Sequence, residues 1–357
     1  FFNILYSYYF NLYLNVDSYF YTLLLSLVPA ISILFKSKDI KKVSVYFKIQ
    51  TVILGYFLLP AIISLPYYLS IYNITFIDAY FEAISGFTST GFTIFDNIKH
   101  LDESLIIWRS SSQWIGGLYF LFSILLLIDI FDDNLKKTLT NFLSFNSSEI
   151  FKQFFKILVF YIFLTFIIFI IYNIFEIRSF NSLNLALTVV SSGGFLPSNN
   201  LASILNSEIK TIMFSLTLLV SFFGLFFSYN IFVIKNKGLK SVQEDIYLLF
   251  YLFFLYSIFF IFSDKNIDFH YIFLAISSSV SNVGISLDKT TQNFSFIFLM
   301  IIIIGGSFFS TSSGLRFIKI YSLVKFSINE LISHSKPKNI FLNKLAFSDK
   351  NMNIEDF

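Results

Sequence analysis

Apolar runs of near-membrane length dominate this chain of 357 residues: Phe20 to Phe35, Val43 to Tyr68, Leu105 to Phe131, Phe154 to Phe175, Ile212 to Ile234, Ile246 to Phe262 and Phe294 to Ile304. About 20 apolar residues are needed for a helix to cross the hydrocarbon core of a bilayer. Phe1 to Leu14 reads as the end of one further span. Inside lipid every backbone N–H and C=O must be satisfied by the chain itself, which leaves helices or closed barrels. Unbroken runs of this length, lacking a strict two-residue alternation, select helices. The expected fold class is an all-α polytopic membrane protein. No run has the basic start and small-residue cleavage site of a signal peptide. The chain opens on Phe rather than Met, so its native start is expected upstream.

Composition removes most other functions. Charged residues make up only 13% of the chain and hydrophobic ones 56%, against about a quarter charged in soluble domains, so a soluble enzyme is excluded. With no cysteine, disulfide frameworks, thiolate metal sites and cysteine nucleophiles are unavailable. His100, His270 and His334 are too few and too scattered for a histidine metal site. The net charge of +3 is too small to argue for nucleic acid. Neither enzymatic activity nor an organic cofactor is expected. The 51 Phe reflect coding composition and carry no functional reading.

Lys and Arg sort the loops by side. Lys36 to Lys48, Lys136 to Lys156, Lys235 to Lys240 and Arg316 to Lys350 hold 19 of the 25 basic residues, and such clusters stay cytoplasmic. The opposite side holds acids, among them Asp78, Glu82, Asp96, Asp102 and Glu103. An acidic outer face raises the local concentration of cations. Between successive basic clusters the chain must cross out and return, yet each excursion contains an extra apolar piece. Asp78 to Gly86, followed by Ser, Thr and Gly, is too short to span and too apolar for a free loop. It is expected to be a re-entrant helix and loop, tolerated at membrane depth only inside protein or beside water.

The pattern occurs three times: FEAISGFTSTGFT (Phe81 to Thr93), LNLALTVVSSGGF (Leu183 to Phe195) and LAISSSVSNVGIS (Leu274 to Ser286). Aligned on Gly91, Gly193 and Gly284, they carry a small or hydroxyl residue five positions earlier (Gly86, Thr188, Ser279) and a polar one two earlier (Ser89, Ser191, Asn282). A repeated unit of helix, short helix, glycine loop and helix suits ion conduction. Glycine lets successive carbonyls face a dehydrating cation, and the short helix turns its negative C-terminal end towards it. One copy alone would favour close helix packing; three copies in matching contexts reverse that in favour of a pore. An inverted-repeat secondary transporter also binds ions on broken helices, but these repeats all start from the same side.

At these residues the sequence resembles the TrkH/KtrB superfamily of potassium-uptake proteins, from about Lys41 to Ala346. FEAISGFTSTGFT with WRSSSQWIGG (Trp108 to Gly117) looks like its first selectivity filter and following helix, SSGGF (Ser191 to Phe195) is similar to the second filter, and SNVGIS (Ser281 to Ser286) to the third. The resemblance implies filter residues Thr88, Ser89, Thr90 and Gly91; Val190, Ser191, Ser192 and Gly193; and Ser281, Asn282, Val283 and Gly284. GGSFFSTSSGLRFIK resembles the family's gating loop, here Gly305, Gly306, Ser307, Phe308, Phe309, Ser310, Thr311, Ser312, Ser313 and Gly314. Phe308 and Phe309, and again Ser312 and Ser313, stand where the family has Ala and Gly.

Further implications are K⁺ as the transported ion, or Na⁺ in some members, and a homodimer in a bacterial inner membrane. A cytosolic nucleotide-binding TrkA/KtrA-like subunit is expected on the basic face, and membrane lipid around the helices. The family has four repeats and three are legible here, so one quarter of the family's pore is absent from this sequence. The segments read as an N-terminal hairpin (1–40), three pore repeats (41–135, 136–240 and 241–328) and a cytosolic tail (329–357).

Glu82 and Asp78, acids at membrane depth, are functional candidates or structural hydrogen bonders. Arg109 is a candidate partner for Glu82, while Trp108 and Trp114 fit interfacial anchoring. Gly116 and Gly117 fit close helix approach. His270 reads as an interfacial hydrogen bonder.

Overall fold

The computed structural model describes residues 1–36, 44–127, 150–225, 243–262, 268–287, 295–335, 344–345 and 352–353. They form two compact units, one of residues 1–123 and 161–206, the other of residues 124–160 and 207–357. The first unit holds α1 (Phe2–Tyr9), α2 (Val16–Lys36), α3 (Val45–Ile63), α4 (Leu65–Tyr68), α5 (Phe76–Phe87), most of α6 (Glu103–Leu127), the second part of α7 (Ile150–Ile174) and α8 (Ser179–Val190). The second holds the start of α7, then α9 (Glu208–Phe222), α10 (Gln243–Phe262), α11 (Phe269–Ser281), α12 (Ser295–Ile303) and α13 (Phe317–Ser335). Two antiparallel two-residue strands, Lys344–Leu345 and Met352–Asn353, are the only extended pairing with its own strands among the described residues. The chain is an all-α polytopic membrane protein. Among the described residues four helices are long and apolar enough to cross a membrane: Val45–Tyr68, Glu103–Leu127, Lys152–Ile174 and Glu244–Ile261.

Helix, short helix, loop and helix recur three times in the described residues, as α3–α4, α5, loop, α6; α7, α8, loop, α9; and α10, α11, loop, α12. The short helices α5, α8 and α11 have 12, 12 and 13 residues, too few at about 1.5 Å per residue to cross about 30 Å of hydrocarbon. The start of α5 is set by Thr75, whose hydroxyl accepts from Asp78 N at 3.2 Å and donates to the Asp78 carboxylate at 2.6 Å. Thr75 is thus the helix cap, and Asp78 is its exposed partner in the first turn. Pro60 and Pro66 bracket the break at Ser64 that divides α3 from α4.

One expected run ends early. Ile212 to Ile234 holds no charged residue, yet α9 stops at Phe222 and Phe223 is extended (ψ 156°); residues 226–234 lie outside the described residues. The same is true of residues 128–131 of the run Leu105 to Phe131, and of the boundaries expected at 40/41, 135/136 and 240/241. The boundary at 328/329 falls inside α13, which continues unbroken to Ser335.

Each unit has its own core. In the first, Ile63 and Tyr67 pack with Ala79, Ala83 and Phe87 of α5 and with Leu105 and Ile106 of α6. In the second, Phe222 and Phe223 pack with Leu248, Leu252 and Phe259 of α10 and with Ile276 and Val280 of α11. The short helices α5 and α11 therefore each bury one face in a protein core.

Candidate functional site

Three loops leave the C-terminal ends of α5, α8 and α11 with one backbone signature. A residue in the left-handed region follows each helix: Ser89 (φ +54°), Ser192 (φ +53°) and Asn282 (φ +60°). The next residue's N–H reaches back five positions, from Thr90 to Ser85 O (2.9 Å), Gly193 to Thr188 O (2.8 Å) and Val283 to Ser278 O (3.1 Å). The hydroxyls of those acceptor residues then close the loops seven residues on. Ser85 Oγ donates to Phe92 O (2.6 Å), Thr188 Oγ1 donates to Phe195 O (2.9 Å), and Ser278 Oγ accepts from Ile285 N (2.8 Å).

This signature corrects the register expected from sequence. Gly91 and Gly284 correspond to Gly194, not Gly193; Gly193 stands where Thr90 and Val283 stand in the other copies, and Ser192 matches Ser89 and Asn282. The second loop therefore runs Ser191, Ser192, Gly193 and Gly194, with Val190 still in its helix. Aligning Ser85, Thr188 and Ser278 as the shared hydroxyl would have found it. Gly91 and Gly284 sit at φ +83° and +73°, where a side chain is strained.

In the first unit the first two loops touch. Ser89 Oγ donates to Ser191 O (3.0 Å), and a Cβ built on Gly91 would lie 3.0 Å from Gly194 Cα. Helix α6 packs against both. A Cβ on Gly116 would overlap Phe87 O at the end of α5, and one on Gly117 would lie 3.0 Å from Ser191 Cα. The sequence reading of close approach at these two glycines describes what they do.

Glu82 and Arg109 form a buried ion pair at 2.8 Å, with side chains 0% and 1% exposed. The Glu82 carboxylate also accepts from Thr93 Oγ1 (3.0 Å) and Ile94 N (2.9 Å), while Arg109 Nη2 donates to Thr93 Oγ1 (2.9 Å). The guanidinium lies 4.3 Å from the Phe195 ring centroid, a cation–π distance. One charge pair thus ties α5, the segment after Gly91, α6 and the segment after Gly194. Trp108 and Trp114 are held within the unit: their indole N–H groups donate to Ile63 O and Thr165 Oγ1, each at 3.0 Å.

In the second unit the expected break in the last helix is present. After α12 the chain is non-helical until α13; Gly305 N donates to Leu315 O (2.7 Å) and Leu315 N to Ile303 O (2.9 Å), closing the loop at its neck. The broken end of α9 receives this loop. Its free carbonyls Ser221 O and Phe222 O accept from Ser312 N (3.2 Å) and Ser307 N (3.0 Å), and Leu225 N donates to Phe309 O (3.0 Å). Such end carbonyls have no partner within their own helix. The third glycine loop also reaches it, through Asn282 Nδ2 to Ser313 O (3.1 Å). Phe308 and Phe309 are buried, edge to face at 5.3 Å.

Charged residues hold the loop and the end of α9 that receives it, and two of them escaped the sequence reading. Glu244 Oε1 accepts from Phe308 N (3.2 Å), and Asp245 Oδ1 from Gly224 N (3.3 Å). Arg316 Nη1 donates to Ser307 O (3.2 Å), Ser310 Oγ (2.9 Å) and Ser312 O (3.0 Å). Glu244 and Asp245 follow a basic cluster and open a helix, so in sequence they look like ordinary N-terminal acids.

The sequence profile of the family described as TrkH, cation transport protein, matches residues 17–195. An uncharacterized cation transporter of Methanocaldococcus jannaschii is 22% identical over 289 residues, covering 79% of this chain and 59% of its own. The Trk system potassium uptake protein TrkG of Escherichia coli is 25% identical over 291 residues, covering 74% of this chain and 58% of its own. The chain thus spans less than three fifths of the length of either relative. The crystal structure of the potassium transporter TrkH from Vibrio parahaemolyticus superposes with a TM-score of 0.71 at 18% identity, covering 92% of this chain and 77% of that one.

Proposed function

The chain belongs to the TrkH family of cation transport proteins, and on that premise we propose that it carries a monovalent cation, potassium above others, across the membrane past backbone carbonyls of its three glycine loops. The observation that carries this reading is the backbone signature common to Ser89–Gly91, Ser192–Gly194 and Asn282–Gly284. Carbonyls in such turns replace a cation's hydration shell, and each loop follows a helix C-terminus whose dipole favours positive charge. The proposed filter residues are Thr88 to Gly91, Ser191 to Gly194 and Ser281 to Gly284. In a bacterium the protein would sit in the inner membrane as a homodimer. A cytosolic nucleotide-binding subunit would meet its basic face, where Lys319 and Lys325 of α13 lie.

The test is tracer uptake by vesicles holding the intact protein, with Rb⁺ standing in for K⁺ against Na⁺. Uptake equal to that of empty vesicles would overturn the reading. Gly91→Ser places a side chain at φ +83° and within 3.0 Å of Gly194 Cα, a strain of about 1–2 kcal/mol. The expected outcome is a folded protein whose Rb⁺ over Na⁺ preference falls about tenfold, or ~1.4 kcal/mol. An unchanged preference removes Gly91 from the filter.

The non-helical segment from Gly305 to Gly314 is proposed to obstruct the pathway, with Phe308 and Phe309 as an apolar plug that resists wetting. Deleting Ser307 to Ser312 is expected to raise Rb⁺ uptake several-fold. Uptake at the unmodified rate would leave the segment a structural brace.

A further inference from the structure

We propose that Gln113 is a positioning residue for the second glycine loop and thereby a determinant of ion preference, an inference that rests on the cation-pathway reading above. The three loops share a backbone course, yet they differ at one place. Thr90 and Val283 carry side chains where the second loop has Gly193. The space a Cβ on Gly193 would take is occupied by the carboxamide of Gln113, whose Oε1 and Cδ it would overlap and whose Nε2 it would meet at 2.8 Å. Gln113 comes from α6, is 0% exposed, and accepts from Phe195 N through Oε1 at 3.3 Å.

Two facts make the carboxamide a wall rather than a filler. It lies directly against the backbone of Gly193, so the loop cannot relax towards α6 without displacing it. Through Phe195 N it also fixes the residue that closes the loop, since Phe195 O accepts from Thr188 Oγ1 at 2.9 Å. Gly117, one turn further along α6, brings the same helix within contact of Ser191. The buried amide thus bears on the second loop at two points, Gly193 and Phe195, and a shift of that amide displaces the backbone between them. A filter that weighs ions by carbonyl placement is sensitive to such a shift. The first loop lacks this device: Thr90 bonds Thr88 within the loop, hydroxyl to hydroxyl at 2.7 Å.

The experiment compares Gln113→Ala, Gln113→Met, Gly193→Ala and the double variant Gly193→Ala/Gln113→Ala in the intact protein. Each is read twice, by thermal midpoint in detergent and by Rb⁺ against Na⁺ uptake in vesicles. Gln113→Met keeps the bulk and loses the acceptor for Phe195 N; it should fold and lower the Rb⁺ over Na⁺ preference about three- to tenfold. Gln113→Ala should lower it further. Gly193→Ala alone should lose both thermal stability and uptake, because methyl and carboxamide compete for one space. The double variant should regain a midpoint close to that of Gln113→Ala. An unchanged ion preference in both Gln113 variants overturns the positioning role. A Gly193→Ala protein as stable as the unmodified one, or a double variant no better than Gly193→Ala, overturns the shared space. Should the unmodified protein carry no cation at all, the cation-pathway reading fails, and the midpoints of the four variants still decide the packing claim.

Discussion

Arg109→Ala should destabilise the protein by about 3–5 kcal/mol, the cost of stranding a buried carboxylate by removing its partner. Glu82 is fully buried and keeps only Thr93 and Ile94 as donors once the guanidinium is gone. The loss should appear as a large drop in thermal midpoint, measured by size-exclusion chromatography of heated detergent samples. Arg109→Lys should recover little. The native side chain uses Nε on Glu82, Nη2 on Thr93 and its flat face on Phe195, and an ammonium has neither the fork nor the face. Replacing both partners, Glu82→Leu with Arg109→Met, should cost less than Arg109→Ala alone, since no charge is then left unpaired. A double variant as unstable as the single one would mean that the damage comes from lost packing around Phe95 and Phe195, not from the charge.

Arg316→Ala has the largest effect expected on transport. One nitrogen of Arg316 donates to two carbonyls and a hydroxyl of the non-helical segment, and hydrogen bonds from a charged group each contribute about 1.5–3 kcal/mol. Loss of even one such bond shifts the balance between held and released loop by about tenfold or more. Basal Rb⁺ uptake should therefore rise at least tenfold, with stability lowered far less than in Arg109→Ala. Glu244→Gln should have a smaller effect of the same sign: the amide oxygen still accepts from Phe308 N, but as a neutral and weaker acceptor than a carboxylate. Uptake unaltered in Arg316→Ala would separate this arginine from any gate.

Much of this architecture is legible in the amino-acid order because the signals are local. Apolar length gives the spanning helices, and serine, threonine and glycine after a short apolar stretch give the three re-entrant loops. The run Gly305 to Gly314 announces its own break, and Glu82 with Arg109 could be paired because a lone charge at membrane depth needs a partner. What escapes reading is decided by contacts across the chain. With two adjacent glycines in SSGGF, a slip of one residue leaves the pattern almost as good, and only the hydrogen bonds of Thr188 fix the register. Gly224 is the one local hint that α9 ends at Phe222; its end carbonyls are satisfied by Ser307 and Ser312, some ninety residues on. Glu244 and Asp245 have the look of exposed acids until the loop that Glu244 binds and the α9 end that Asp245 binds are in place.

The docking of residues 307–312 onto the end of α9 has a consequence for biogenesis. The carbonyls of Ser221 and Phe222 are made long before their partners; Ser307 is 85 residues beyond Phe222 along the chain. At roughly 5–20 residues per second, translation leaves the gap open for about 4–17 s. Over that interval the bare end of α9 has no native acceptor-to-donor match, and an unpaired backbone group in hydrocarbon is costly. The second repeat therefore completes its structure only when the third has entered the membrane. A ribosome stalled before Ser307 would expose a half-finished helix end to whatever surveys nascent membrane proteins.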